Sequence, residues 1–166
     1  MAEQLSAQLD RLRLASSNPT AKLAQPNPRW KSPRIKTITP CGLEIPGVGA
    51  GTDFKLYPGG GRFWDWSETQ TKLETGIQVA DVEELVQNGA TTVVISRGRK
   101  NELQIQTEAL RYLAERDITV LIANTRRAVE LYCALVDTTP VGALFVFYPG
   151  QEKRSRTSKY IEEHDL

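Results

Sequence analysis

Cationic and polar residues follow two predicted strands, where they could together bind an anion. They are Arg97, Gly98 and Arg99 after one strand, and Asn124, Thr125 and Arg126 after the next. In an open parallel sheet, ligands bind beyond the carboxyl ends of the strands, and the free N–H groups of a helix N-terminus favour phosphate or carboxylate. The spacing therefore predicts a candidate anion crevice, provided that the two strands are neighbours. The alternative is that these residues are ordinary loop charges that face water.

A second set of residues could bind a protein. Arg62, Trp64 and Trp66 lie in a glycine-rich extended segment that places both tryptophans on one face. An exposed tryptophan beside an arginine is typical of a protein-interaction hot spot. The alternative is that both indoles belong to the core, and the three glycines at 59–61 serve a tight turn rather than a phosphate loop.

Other chemistry is excluded by composition. His164 is the single histidine and lies in the tail, which argues against a Ser-His-Asp group or a histidine metal site. Cys41 and Cys133 are too few for a zinc site, and we interpret Cys133 as a buried helix thiol without an activating group. A formal net charge of +1 does not indicate a nucleic-acid binder. We therefore expect no catalytic residue, no metal and no cofactor.

The hydrophobic pattern predicts an α/β domain. Short strands are expected at 35–39, 42–45, 53–57 and 62–66, with a turn at 46–51, and the alternation over 53–57 predicts a half-buried strand. Buried strands at 91–96 and 118–123 and a last strand at 141–148 alternate with three helices, of which the first carries its apolar residues at 79–86 and stops at 88–89, the second starts near 107, and the third spans 125–136 with Thr125 as N-cap. This order predicts three layers around a mixed, partly parallel sheet, with an extra antiparallel β portion near the N-terminal half.

The chain divides into one domain and two tails. Residues 1–33 form a proline-rich arm with Leu5, Leu9 and Leu12 at helical spacing, which is either a marginal tail helix or a docking stripe. Residues 34–149 form the domain, and 150–166 form a charged tail. The longest apolar run, 141–148, is far shorter than the roughly 20 residues of a membrane helix. We expect a cytoplasmic protein with no membrane or nucleic-acid partner.

Residues 57–66 (YPGGGRFWDW) carry a resemblance to a known family. Together with 76–84, 93–98, Thr125 and 141–142, they are similar to the adipogenesis-associated Mth-domain-containing proteins. The resemblance implies a three-layer α/β domain whose members act mainly through protein partners, with a mitochondrial complex I assembly factor as a distant relative. At 96–100 this chain has SRGRK where many members have Gly-x-Gly.

Three hypotheses about function follow. The first is a non-enzymatic protein-binding or assembly-type module that presents Arg62, Trp64 and Trp66 to an unidentified protein partner. The second is a small-molecule binding protein, or minor enzyme, that takes an anionic ligand in the arginine-rich crevice. The third is a homo-oligomer that associates through the N-terminal leucines.

Overall fold

A computed structural model describes residues 30–149 of the chain. The predictions for the leucine stripe of the arm and for the charged tail lie outside these residues. Within them the fold is mixed α/β with three α-helices, as the sequence predicts, and the predicted antiparallel portion is divided between the main sheet and a separate three-stranded sheet.

The elements follow one another in the order β, β, β, β, β, α, β, α, β, α, β. The strands are β1 (Thr37–Thr39), β2 (Gly42–Ile45), β3 (Gly49–Gly51), β4 (Phe54–Tyr57), β5 (Gly60–Phe63), β6 (Thr92–Ser96), β7 (Thr119–Ala123) and β8 (Val141–Phe145). The helices are α1 (Val79–Gln87), α2 (Thr107–Glu115) and α3 (Thr125–Leu135), and a 3₁₀ turn spans Trp66–Glu68.

The main sheet has five strands in the order β5-β4-β8-β6-β7. The β6 strand is parallel to β7 and β8, whereas β4 is antiparallel to β5 and β8. One apolar cluster packs α1 and α2 against the face that includes Val93 and Ile95. The other packs α3 and the small β1-β2-β3 sheet against the face that includes Val94. These are the predicted three layers.

Two strands depart from the predicted burial. The alternation over 53–57 predicts a half-buried β4, but Phe54, Lys55 and Leu56 are all buried. The reason is that β4 is an interior strand, covered on one face by α1 and on the other by the small sheet. The predicted buried strand β7 is instead an edge strand, and the side chain of Ile122 is 44% exposed.

The segment 46–51, predicted as a turn, is a turn only in its first half. Gly49–Gly51 forms β3, which pairs with β2. The ring of Phe63 lies over these glycines, and a Cβ at Gly51 would come within 2.7 Å of it. The glycines therefore allow an aromatic ring to pack closely on a strand. In the sequence, the same glycines indicate a turn.

The N-cap of α3 is Asn124 rather than Thr125. The Asn124 side chain accepts a hydrogen bond from the Arg127 N–H at 2.9 Å, and Thr125 is the first helical residue. Asn is at least as good a cap as Thr, so a tandem Asn-Thr leaves the choice to tertiary contacts. Cys133 lies on the exposed side of this helix, which corrects the interpretation of a buried thiol.

Contacts with the domain extend a few residues upstream of Arg34. Ser32 is buried and its hydroxyl donates to the Val141 carbonyl, while the Tyr132 hydroxyl donates to the Pro33 carbonyl at 2.5 Å. The Gly59 N–H donates to the Lys31 carbonyl at 2.9 Å. In the region from 30 to 149, no helix has the length and apolar character needed to cross a membrane.

Candidate functional site

The structure groups four charged side chains beside α1, which we call the Arg62 cluster: Lys55, Arg62, Glu68 and Glu84. The register of β4 and β5 pairs Lys55 with Arg62, so both side chains lie on the face covered by α1. Glu84 projects from that helix and meets them. The Arg62 Nε donates to Glu84 Oε1 at 2.9 Å and its Nη2 donates to Oε2 at 2.7 Å. A planar guanidinium matches a carboxylate in this two-bond geometry, which makes the pair specific.

Arg62 also holds the 3₁₀ turn that follows β5. Its Nη1 and Nη2 donate to the two Glu68 oxygens at 3.0 and 2.9 Å. A further Nη1 contact reaches the Phe63 carbonyl at 3.2 Å. One guanidinium thus fastens α1, β5 and the turn to one another.

Of the four residues, only Arg62 is a candidate in the sequence analysis, and the burial of Lys55 departs furthest from what the sequence predicts. Its side chain is only 3% exposed, and its Nζ lies 3.5 Å from Glu84 Oε2. A lysine flanked by Phe54 and Leu56 in an alternating strand predicts a solvent-facing side chain. The only indication of its burial in the sequence is non-local. The helix that follows carries glutamates at 83 and 84, and one of them can pair with Lys55 if the helix covers that face of the sheet.

The electrostatics of the cluster stabilise its charged forms. Hydrogen bonding to Glu84 raises the pKa of Arg62, and hydrogen bonding to Arg62 lowers the pKa of Glu84 below its ordinary value. Burial, followed by the charge of Glu84, raises the pKa of the Tyr57 phenol. All three shifts move titration away from neutral pH, whereas a general acid or base is most effective with a pKa near it.

The two tryptophans have different environments. Trp64 is 1% exposed and belongs to the core between the sheet and α1, whereas Trp66 is half-buried. Their ring centroids are 5.3 Å apart. Trp64 therefore cannot be the exposed anchor that the sequence allowed.

Phe63 is the exposed aromatic residue of this segment. It is 48% exposed, and its ring packs on Phe54 at a centroid distance of 5.2 Å. The sequence held the signal: strand alternation that turns Arg62 and Trp64 to one face turns Phe63 to the other.

A buried carboxylate ties the loop after β5 to α1. Asp81 is fully buried, accepts from the Thr69 and Thr71 hydroxyls at 2.6 Å each, and accepts from the Gln78 N–H at 2.9 Å. The last bond is half of a capping box at the helix N-terminus. Asp81 therefore has a structural role: it holds the loop after β5 against the N-terminus of α1. No cluster of three potential metal-ligating side chains occurs among the residues described.

The predicted crevice lies where the sequence places it, because β6 and β7 are parallel neighbours. Its groups, however, bind to the protein itself. The buried Thr125 hydroxyl donates to the Val146 carbonyl at 2.5 Å and lies 3.0 Å from the Ser96 hydroxyl. The Arg97 Nε donates to the Leu103 carbonyl at 2.7 Å.

The segment after β8 covers the remaining part of this edge. Gly98 has φ +92°, and a Cβ there would lie 2.6 Å from the Pro149 ring. Arg99 donates to the Tyr148 hydroxyl at 3.0 Å. Arg126 points into solvent, with its Nε 3.9 Å from Glu130 Oε1. The structure thus brings the six predicted residues to one edge, but the side chains of Arg97, Arg99 and Thr125 donate to protein oxygens and that of Arg126 points into solvent.

Comparison with known proteins addresses the fold. No family model matches the chain. Several solved structures share its fold. A conserved hypothetical protein from Pyrococcus horikoshii OT3 is 16% identical, with a TM-score of 0.57 over 69% of this chain and 99% of its own.

Two bacterial structures resemble the chain to the same degree. One is described as an outer membrane protein from Bartonella henselae, with 18% identity, a TM-score of 0.56, and coverage of 70% of this chain and 96% of its own. The other is a Xanthomonas campestris protein solved by NMR, with 14% identity, a TM-score of 0.54, and coverage of 72% and 88%. At this identity the likeness concerns the fold alone.

Proposed function

We propose that this chain is a non-enzymatic protein-binding module, and that its likeness to the adipogenesis-associated Mth-domain-containing proteins reflects membership of that family. The binding surface is the outer edge of β5, with Phe63 as its apolar anchor on one face of the sheet and the half-buried Trp66 on the other face. This differs from the surface expected from sequence by replacing Trp64 with Phe63.

The exposure of Phe63 on an edge strand carries the proposal. A large aromatic side chain that is half exposed on an edge strand is typical of an interaction hot spot.

The backbone of β5 can also accept a strand from a partner. The Trp64 N–H donates to the Asp53 carbonyl, so Trp64 and Asp53 form a hydrogen-bonded pair. Because such pairs alternate along an antiparallel ladder, Arg62 and Lys55 form the next one. Gly61 and Phe63 therefore direct their backbone groups away from β4. An extended peptide that adds to a sheet edge gains main-chain hydrogen bonds together with side-chain contacts.

The polar side chains support a binding role rather than a catalytic one. In the Arg62 cluster each charge faces an opposite charge, and Asp81 accepts three hydrogen bonds. The alternative, an anionic ligand in the crevice, has less support because Thr125, Arg97 and Arg99 donate to protein oxygens there.

Site-specific photo-cross-linking tests the proposal. A benzophenone amino acid at Phe63 is expected to capture one discrete protein in the cells that produce this chain. The matched control carries it at Ile38, another exposed apolar residue that lies on β1 in the small sheet. Adding Trp66→Ala to the Phe63 probe is expected to reduce the adduct by about fivefold or more, the range of an interface hot spot. Equal adducts from both probes, or none from Phe63, would refute the proposal.

A further inference from the structure

The opposite edge of the main sheet is open and apolar. The β7 strand, Thr119–Ala123, contains no charged residue and no proline, and Ile122 is exposed on it. Proteins commonly protect an edge strand with lysine, proline or a bulge, because its free backbone groups pair readily with another chain. None of these devices occurs within β7.

The backbone groups of β7 alternate between β6 and the open side. The Thr119 N–H donates to the Thr91 carbonyl, and the Ala123 carbonyl accepts from the backbone N–H of Arg97. These contacts place the backbone groups of the odd-numbered residues toward β6, so Val120 and Ile122 direct theirs outward.

We propose that β7 pairs antiparallel with β7 of a second copy of this chain. With Leu121 on the two-fold axis, Val120 of one copy lies opposite Ile122 of the other, as two hydrogen-bonded pairs related by symmetry. Thr119 then lies opposite Ala123. The two five-stranded sheets become one continuous sheet across the dimer.

The charges at the two ends of β7 are complementary in this arrangement. Asp117 precedes the strand with an exposed carboxylate, and Arg126 follows it with a guanidinium that is 93% exposed and makes only a long contact, 3.9 Å, with Glu130. An antiparallel pairing brings Asp117 of each copy to the N-terminus of the other copy's α3, beside Arg126. Both the helix dipole and the arginine attract the carboxylate. The nearby Arg116 stacks on its own Tyr112 ring at 3.6 Å, so its cation is already engaged.

This self-complementarity favours a second copy over another partner. The outward backbone groups of β7 pair with those of an identical strand. In this register Val120 lies opposite Ile122, and Asp117 at one end lies near Arg126 at the other. The inference is independent of the proposed function, because β5 and β7 lie at opposite edges of the sheet.

Sedimentation velocity of the full chain, from micromolar to submillimolar concentration, tests the pairing. The wild type is expected to show a reversible monomer–dimer equilibrium. Ile122→Lys should raise the dimer dissociation constant by about tenfold or more, because a lysine on the paired edge opposes strand addition. Ile38→Lys, the same change at an exposed isoleucine outside β7, should leave it within about twofold.

Charge variants and an arm variant make the test specific. Asp117→Asn and Arg126→Gln should each weaken the dimer by about two- to fivefold at low salt, and the double variant no more than the stronger single one. Leu9→Lys, in the N-terminal stripe, should have no effect. A wild type that is monomeric throughout, a dimer indifferent to Ile122→Lys, or a dimer lost with Leu9→Lys would overturn the inference.

Discussion

Glu84→Gln is expected to lower the free energy of unfolding by about 2 kcal/mol, between the cost of breaking an exposed ion pair and that of breaking a buried one, because Lys55 is buried while Glu84 is partly exposed. The carboxylate of Glu84 is the anion that faces the buried Lys55 ammonium, and it also binds Arg62 through two oxygens. A neutral amide removes the carboxylate that lies 3.5 Å from the buried Lys55 ammonium. Urea denaturation measures the change, with Glu83→Gln on the same helix as the matched control, expected within about 0.5 kcal/mol of wild type.

Lys55→Met is the companion variant and should be much milder. It removes the buried cation while keeping most of the apolar stem, and Glu84 retains its two hydrogen bonds to Arg62. A change within about 1 kcal/mol is expected, since replacing buried charge by a packed apolar group is often nearly neutral. If Lys55→Met lowers the free energy of unfolding as much as Glu84→Gln does, then the lysine itself is required for stability. The expectation that losing the carboxylate costs more than losing the ammonium would then be wrong.

The depressed pKa of Glu84 gives the same interaction a pH signature. Because the folded-state value is lower than the ordinary 4.5, its contribution is fully present above about pH 4.5 and is lost as the pH falls through the folded-state pKa. Stability of the wild type should therefore fall with acid more steeply than that of Glu84→Gln. Parallel curves for the two proteins would contradict the role given to this carboxylate.

Trp64→Ala is expected to have the largest effect of any change in the Tyr57–Trp66 segment, about 3–5 kcal/mol. The indole is 1% exposed and packs with Val82, Leu85 and Ile95 between the sheet and α1. The surrounding strands and helix are held by other contacts and cannot close the space. A loss of this size is a large share of the 5–15 kcal/mol that stabilises a typical domain.

Trp66→Ala separates packing from binding. The Trp66 ring is half-buried, so its removal should cost clearly less stability than the removal of Trp64. The Trp66→Ala variant should nevertheless give a lower yield of the cross-link from the probe at position 63. Equal destabilisation by the two alanine variants would mean that Trp66 is a core residue and does not belong to the surface.

The order of elements and the neighbouring position of β6 and β7 follow from local pattern. Apolar runs of strand length alternate with helical periodicity over 79–148, and the connections between them are short. Such a chain has few ways to cover a sheet on both faces. The order of the layers was therefore predictable from the sequence.

The details of the site depended on contacts between distant residues. Lys55 is buried because α1, about 30 residues later, covers its face and supplies Glu84. Gly98 is covered by Pro149, about 50 residues away, which fills the edge where an anion was expected. Neither contact leaves a periodic signal in the sequence. The exposure of Phe63, in contrast, follows from strand alternation, which places it on the face opposite to Trp64.

Amide hydrogen exchange by NMR tests the central claim, that the outer edge of β5 binds a protein. In the free chain, the Gly61 and Phe63 amides should exchange quickly while the Arg62 amide, bonded to Lys55 across the hairpin, is protected. Adding the protein captured by the Phe63 cross-linker should slow Gly61 and Phe63 and leave Arg62 unchanged. Gly61 and Phe63 amides that are already protected in the free chain, or that remain unaffected by a saturating partner, would contradict the account.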